Sequence, residues 1–336
     1  MRWTRRPEGS NWGDFGPDDQ IGKLNLITPE RRLAGVREVQ DGISFMLGLP
    51  LDYPGGSVLA VNRRPPQLLA GLRADSSPNY NFQMSEVKPH FTDIISDDAV
   101  LLYTQYSSQW DALSHIGALF DADGDGVAEP VYYNGYRAGE HIRVPGEDSP
   151  GAAALGIERM AETCAQGRAV LIDFVALHGT DRVVIGYDEM MAALDATHAE
   201  IQPGDFLCLY TGFADAILAM DHKPDVAVLN RTGAALDGRD ERLLQWITDS
   251  GVVALCADNF AVEHYPTRPA ACDHFAALPL HEHCLFKQGI YLGELWYFRE
   301  LAEWLRPRRR SAFLLTAPPL RLTGSVGSPA TPVATV

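Results

Sequence analysis

Four times in the second half of the chain, a stretch with helical spacing of apolar residues is followed by a short apolar run. Residues 152–165 read as a helix and 169–175 as a strand, then 188–196 as a helix and 205–210 as a strand. In 240–250, Leu243, Leu244 and Ile247 share one helical face, and the strand-like 252–256 follows. In 297–305, Phe298, Leu301 and Leu305 point inward ahead of the strand 312–316. Apolar positions three and four apart mark a helix face, and short continuous apolar runs mark buried strands. Their alternation predicts an α/β protein with a helix-covered sheet.

The first half is less regular. Residues 1–28 are rich in Gly, Asp and Asn, carry two tryptophans, and read as an extended, ordered arm. Thr28-Pro29-Glu30 then opens a helix, with Thr28 as N-cap and Pro29 at the first position, and Leu33, Val36 and Val39 as its apolar stripe. Residues 43–49 and the apolar run 99–104 read as strands. Between them, 50–92 is irregular, with Pro65-Pro66 and Ser76-Ser77-Pro78. So long a loop in a compact protein is functional or an arm between subunits. No repeat and no linker divides the chain, so 29–336 is expected to be one domain behind the arm 1–28.

Composition narrows the classes. The 336 residues are 46% hydrophobic, enough for a large core, and the net charge of −16 excludes a general nucleic-acid binder. The basic clusters Arg2-Arg5-Arg6 and Arg308-Arg309-Arg310 are short and read as solvated arms or subunit contacts. No run approaches the ~18 apolar residues of a membrane span, and Met1-Arg-Trp-Thr-Arg-Arg leads into no apolar signal region. The five cysteines, at 164, 208, 256, 272 and 284, are odd in number and form no disulfide framework. Cys208 and Cys256 read as buried thiols. A cytoplasmic location is expected.

The candidate chemistry centres on Gln109-Trp110-Asp111-Ala-Leu-Ser-His115. On a strand Gln109 and Asp111 point to one face with Cα atoms ~6.6 Å apart, but Asp111 and His115 would be ~13 Å apart. Asp111 and His115 can share an ion only if the strand ends near Asp111 and the chain turns there, because residues four apart on a helical turn are ~5–6 Å apart at Cβ. Spacing alone equally fits Asp111 as a helix cap and His115 as a satisfied buried histidine.

This stretch resembles the central motif H-x-G-T-H-x-D-x-P-x-H of the cyclase-like metal-dependent hydrolases, which include bacterial kynurenine formamidases and isatin hydrolases. Asp111 and His115 match; Gln105 and Gln109 stand for the two earlier histidines and Leu113 for the proline. A long-chain branch of the family carries Gln-Trp-Asp here. Asn11-Trp12-Gly13, Asp18-Asp19, Leu24-Asn25-Leu26, Pro203-Gly204-Asp205, Thr211-Gly212, Asp258-Asn-Phe-Ala-Val-Glu263 and Pro279-Leu-His281 are similar to segments of that branch. The resemblance implies the swivelling β/β/α fold in a single domain, homodimers or homotetramers, and a site holding Zn or Mn. The implied ligands are Asp111, His115, His281 and Glu294, with Gln109 beside them; His283 rivals His281 at a shifted register. His115 and Glu294 are the implied proton carriers. Trp110, Tyr133 and His178 are candidate walls for a small substrate, aromatic ones included, and each also fits a role in the core or a loop. The implied activity is hydrolysis of a formamide, amide or lactam. A lyase or cyclase acting on a small carbonyl compound, or a binding protein that kept the fold, are the alternatives.

Two other patterns mimic metal sites. Asp121-Ala-Asp123-Gly-Asp125 imitates a calcium loop, but Tyr132 occupies the position where an EF-hand needs Glu, so a polar surface turn is expected. Cys272, His274, His283 and Cys284 could form a structural zinc site, although the adjacent His283-Cys284 pair is poorly spaced.

Overall fold

The computed structural model describes residues 2–270 and 273–336. Its centre is a nine-stranded sheet: β1 Ser44–Met46, β2 Gln109–Asp111, β3 Gln166–Asp173, β4 Phe206–Tyr210, β5 Ala254–Ala257, β6 Tyr291–Glu294, β7 Ala312–Thr316, β8 Gly327–Pro329 and β9 Val333–Thr335. The spatial order is β1-β9-β7-β3-β4-β5-β6-β2-β8. The four central strands, β3 to β6, run parallel, and antiparallel strands extend the sheet on both sides. Parallel neighbours need long crossovers, and the helices read from the sequence supply them: Tyr187–Thr197 between β3 and β4, and Glu241–Ser250 between β4 and β5. Asp240 caps the latter helix, accepting from Arg242 and Leu243, and Gly251 ends it. Leu243 and Ile247 are buried beneath it.

The fold is thus the expected single α/β domain, with three departures in detail. The helix Pro29–Arg37 is capped by Thr28 as expected, but it does not bury the stripe Leu33–Val36, both residues of which are exposed. Instead it lays Gly35 on the backbone of Gly167 and Arg168 in β3, where an added Cβ would come within 2.7 Å. The closest approach to the sheet requires the missing side chain, and that turns the apolar stripe outward. The run 99–104 is not a core strand either: Asp98–Leu101 pairs with Gln67–Ala70 in an exposed two-stranded ribbon. The helix expected over 152–165 shortens to Ile157–Glu162.

Residues 3–27 are docked along the segment that feeds β6. Trp12 is fully buried, edge-on to Phe286, and its indole donates to the Phe286 carbonyl at 2.7 Å. Asn11 donates to the Gln288 carbonyl at 2.8 Å. The tightest contact is Gly22 on Gly289: the Lys23 N–H donates to the Gly289 carbonyl at 2.9 Å. Arg2, Arg5 and Arg6 pair with Asp18, Asp121 and Asp14. Asp121 also accepts from the N–H groups of Gly124 and Gly126, and Asp123 pairs with Arg137. The calcium-like loop is a turn whose acids are engaged by arginines and by its own backbone, and Asp121, Asp123 and Asp125 each bring one oxygen within 4.8 Å of the others.

The glycine contact gives a direct test. Both glycines have positive φ, and a Cβ on Gly289 would meet the Gly22 Cα at 2.6 Å and the Tyr133 ring at 2.9 Å. Gly289→Ala is expected to cost about 2–3 kcal/mol through backbone strain and overpacking, read as a lower midpoint in chemical denaturation.

Candidate metal centre

The site is built by strand register. Gln109 lies opposite Glu294 and Asp111 opposite Leu292 in the antiparallel pair β2·β6. Side chains alternate along a strand, so Gln109, Asp111 and Glu294 leave the sheet on one face and Trp110 on the other. The strand ends at Asp111, and the next turn is closed by the His115 N–H donating to Ala112 at 2.9 Å. That turn carries His115 Nε2 to 3.8 Å from Asp111 Oδ1, meeting the condition that the spacing set.

His281 reaches the same place from the helical turn Pro279–His281, which runs on into the π-helical Glu282–Gln288. Glu263 fixes this turn. Its carboxylate accepts from the backbone N–H of Leu280 at 3.1 Å, from that of His281 at 3.0 Å, and pairs with the ring Nδ1 at 2.7 Å. The ring's other nitrogen, Nε2, lies 3.2 Å from Glu294 Oε1. A carboxylate behind a histidine sets the tautomer and orientation that a metal ligand needs. One donor atom each of Asp111, His281 and Glu294 lie within 4.8 Å of one another. Backbone strain flanks both acids: Ala261 and Val262 before Glu263, and Leu295 after Glu294, all have positive φ. Such strain is costly for a β-branched residue and collects at functional sites.

Charge makes the cluster unusual. Asp111, Glu263, Glu294 and His281 are all buried. Burial, and then the charge of Glu294, push the Asp111 carboxyl up to about 8. Burial opposes the charge on His281, but the bonds to Glu263 and Glu294 outweigh it and raise the ring to about 10. Burial likewise acts against ionised Glu294, yet its bond to His281 holds it below the usual carboxylate range. Burial, then the nearby His281, lower His115 to about 4. The positive charge of Arg63 acts on Asp111, His115 and Glu294.

The residues fit a divalent cation. Both carboxylate oxygens of Asp111 and the amide oxygen of Gln109 are buried without a hydrogen-bond partner. Leaving such groups unpaired costs about 1–3 kcal/mol each, more when charged. Three carboxyl groups face one guanidinium and one protonated imidazole, and a dication would take the place of the proton that burial keeps on Asp111. Nitrogen and oxygen donors of this kind suit first-row divalent ions.

The other sequence candidates are distributed as follows. Gln109 donates its amide to Glu294 at 3.0 Å and belongs to the cluster's surroundings. His283 does not: its Nε2 lies 3.0 Å from the Thr248 hydroxyl, so the register favours His281. Trp110 is a core residue, bonded to the Ala317 carbonyl at 2.8 Å and edge-on to Trp296. Tyr133 is buried against the Gly22–Gly289 contact. His178 is exposed at the end of the helix Phe174–His178 and stacks on Phe174. The structure brings none of these three to the cluster: Trp110 leaves the sheet on the face opposite Asp111, Tyr133 packs on the two glycines, and His178 ends an exposed helix turn. Among the described residues, no cluster of ligands forms around His283 and Cys284; Cys272 lies outside them. Sequence reasoning assigned no role to Glu263 or Arg63. The run Asp258–Glu263 was a signal for the first; a lone arginine in an irregular stretch offered none for the second.

A family profile described as "Putative cyclase" matches residues 72–264. The chain is 30% identical to a protein whose crystal structure is described as that of a novel cyclase, over 97% of both chains, with a TM-score of 0.76. Isatin hydrolase A from Ralstonia solanacearum is 15% identical, with 91% of this chain and 97% of that one covered and a TM-score of 0.55. An isatin hydrolase bound to the product analogue thioisatinate is 14% identical, with coverage of 92% and 99% and a TM-score of 0.53. With the isatin hydrolases the likeness is one of fold. No curated protein matches the sequence.

Two substitutions test the cluster without an activity assay. Asp111→Ala should leave the dialysed protein folded by circular dichroism but without bound divalent metal; full metal occupancy would remove Asp111 from the ligands. Glu263→Gln should keep the metal with roughly 10–100-fold weaker affinity, the usual cost of losing the group behind a ligating histidine.

Proposed function

The chain belongs to the cyclase family, and we propose that within it this protein is a metal-dependent hydrolase of a non-peptide C–N bond: a formamide, amide or lactam of a small substrate. The observation that carries this reading is the buried triad Asp111, His281 and Glu294, with both oxygens of Asp111 left without a donor. A zinc or manganese ion held by these three supplies Lewis-acid polarisation of a carbonyl and acidification of water.

The protein's own groups divide the remaining work. Glu294 is bound on both sides, by Gln109 and His281, and so serves better as a ligand than as a proton carrier. His115 keeps an exposed edge, lies 3.8 Å from Asp111, and is neutral at pH 7 with its pKa near 4. A neutral imidazole can take the proton of an attacking water and deliver it to the leaving nitrogen. The water oxygen bonds to the carbonyl carbon as the C–N bond breaks, and the amine leaves with the transferred proton. A cleft of about 610 Å³ begins at Ile116, the next residue after His115, and is lined further by Leu119, Phe275, Leu278 and Glu282. Its size suits a small molecule, and Phe275 offers an aromatic wall.

One tight ion per chain is the expected stoichiometry. The amide of Gln109 is engaged by Glu294, and an amide oxygen is a weaker donor to zinc-like ions than imidazole. Elemental analysis of dialysed protein reads this directly, and a value near two would show a second position filled.

The reaction is tested with a panel of formanilides, amides and lactams on metal-loaded enzyme. Hydrolysis adds one water to the substrate mass, whereas a cyclodehydration loses one, and no turnover across the panel counts against a hydrolase. His115→Ala is expected to lower kcat by about 10²–10⁴-fold with metal content unchanged; loss of the ion instead would make His115 a ligand.

A further inference from the structure

Two donors beside the metal cluster have nothing to donate to. The first is the Gln105 side chain. Its amide nitrogen is buried without an acceptor, whereas its amide oxygen accepts from the Thr104 hydroxyl at 2.8 Å. Strand register puts the free end at the cluster. Gly327 lies directly opposite Asp111 in the antiparallel pair β8·β2. Side chains of opposite residues share a face, with Cβ atoms about 4.5–5.5 Å apart. Gly327 has no side chain, and the Gln105 amide fills the space that one would take. The amide therefore stands next to Asp111, on the face that carries the ligands.

The second donor is Arg63. Its half-buried guanidinium donates from Nη1 to the Gln105 carbonyl at 2.7 Å, which ties the two donors together, and lies 5.9 Å from the centre of the Phe260 ring. Among the described residues it forms no ion pair. Its charge nonetheless reaches Asp111, His115 and Glu294. Arg63 and Gln105 line one crevice with Leu59, Tyr106 and Phe260. The Tyr106 hydroxyl fixes its wall, accepting from the Gly55 N–H at 3.1 Å and donating to the Gly56 carbonyl at 2.9 Å. The crevice holds about 10 Å³ of free space, room for one small polar group and too little for a ring. A water would satisfy the amide alone. An anionic oxygen satisfies the amide and the cation together, and the planar fork of a guanidinium matches a carboxylate.

From this arrangement we propose that Arg63 and Gln105 receive a carboxylate carried by the substrate, so that the enzyme acts on small anionic amides or formamides with an acid group a few bonds from the scissile C–N bond. The identity of the scissile bond rests on the hydrolase reading above; the anion seat rests on the two unpaired donors and is tested by binding alone.

Calorimetry on the intact metal-loaded protein, with benzoate as the anionic probe and benzamide as its neutral counterpart, reads the seat directly. The wild type should bind benzoate at least about tenfold more tightly than benzamide, the margin of a charge-assisted hydrogen bond. Arg63→Met, which keeps the length of the side chain and removes its charge, should abolish that margin with metal content and circular dichroism unchanged. Gln105→Leu should reduce it. If Arg63→Met loses the ion or the fold, Arg63→Lys decides by the same comparison, because it keeps the charge and lacks the fork: the margin should shrink. No preference for benzoate in the wild type, or a preference that survives Arg63→Met because the metal alone holds the anion, would overturn the proposal. Turnover supplies the second reading. Against a formanilide and the same formanilide with a ring carboxylate, Arg63→Met should raise KM for the charged substrate by about tenfold or more and leave kcat/KM for the neutral one in place. An equal loss on both would overturn carboxylate recognition. No turnover of either by the wild type would count against the hydrolase reading and leave the calorimetry to decide the seat.

Discussion

Three carboxyl groups share a dry pocket with one arginine, one protonated histidine and one neutral one, His281 and His115, and their charges must be balanced. Burial, and then the charge of Glu294, lifts Asp111 toward neutrality, while its bond to His281, with the charge of Arg63, keeps Glu294 ionised against burial. A buried charge without a partner costs several kcal/mol even after relaxation. The large core, the flanking helices and the docked N-terminal residues hold this arrangement in place. An ion is what the orphaned oxygens of Asp111 call for.

Much of the chain outside the sheet keeps those acids in place. Glu263 stands at the end of a loop whose backbone is forced into left-handed geometry at Ala261 and Val262. The amide of Asn259 holds that loop by donating to the Ala234 carbonyl at 2.8 Å. Its neighbour Asp258 accepts from the N–H groups of Thr211 and Gly212 at 2.7 and 2.8 Å, tying the ends of β4 and β5 together. Burial raises the Asp258 carboxyl to about 7. On the other side, residues 3–27 brace the segment 284–289, which leads directly into Glu294. The N-terminal residues therefore act on the site through packing, with no side chain of their own in it.

The surface divides in the same way. The body is closed over its core, whereas the excursion between Arg63 and Gln105 exposes leucines and valines on both faces. Residues 50–92 read as irregular from the sequence, yet Gln67–Ala70 pairs with Asp98–Leu101 in a ribbon whose apolar residues are exposed on both faces.

The sequence by itself carried the alternation of helices and strands, because each element buries one face and its periodicity records which. The cap at Thr28 and the same-face pairing of Gln109 with Asp111 were legible for the same local reason. The resemblance to the cyclase family supplied His281 and Glu294 from a distant segment. Tertiary structure decided what depends on contacts far apart in the chain. It set the register that puts Glu294 opposite Gln109, the choice of His281 over His283, and the service of Glu263 behind the histidine. It also turned Leu33 and Val36 outward, because Gly35 can approach the sheet more closely than any side chain allows. Local pattern specifies which face of an element is apolar; only the packing of one element on another specifies what that face meets.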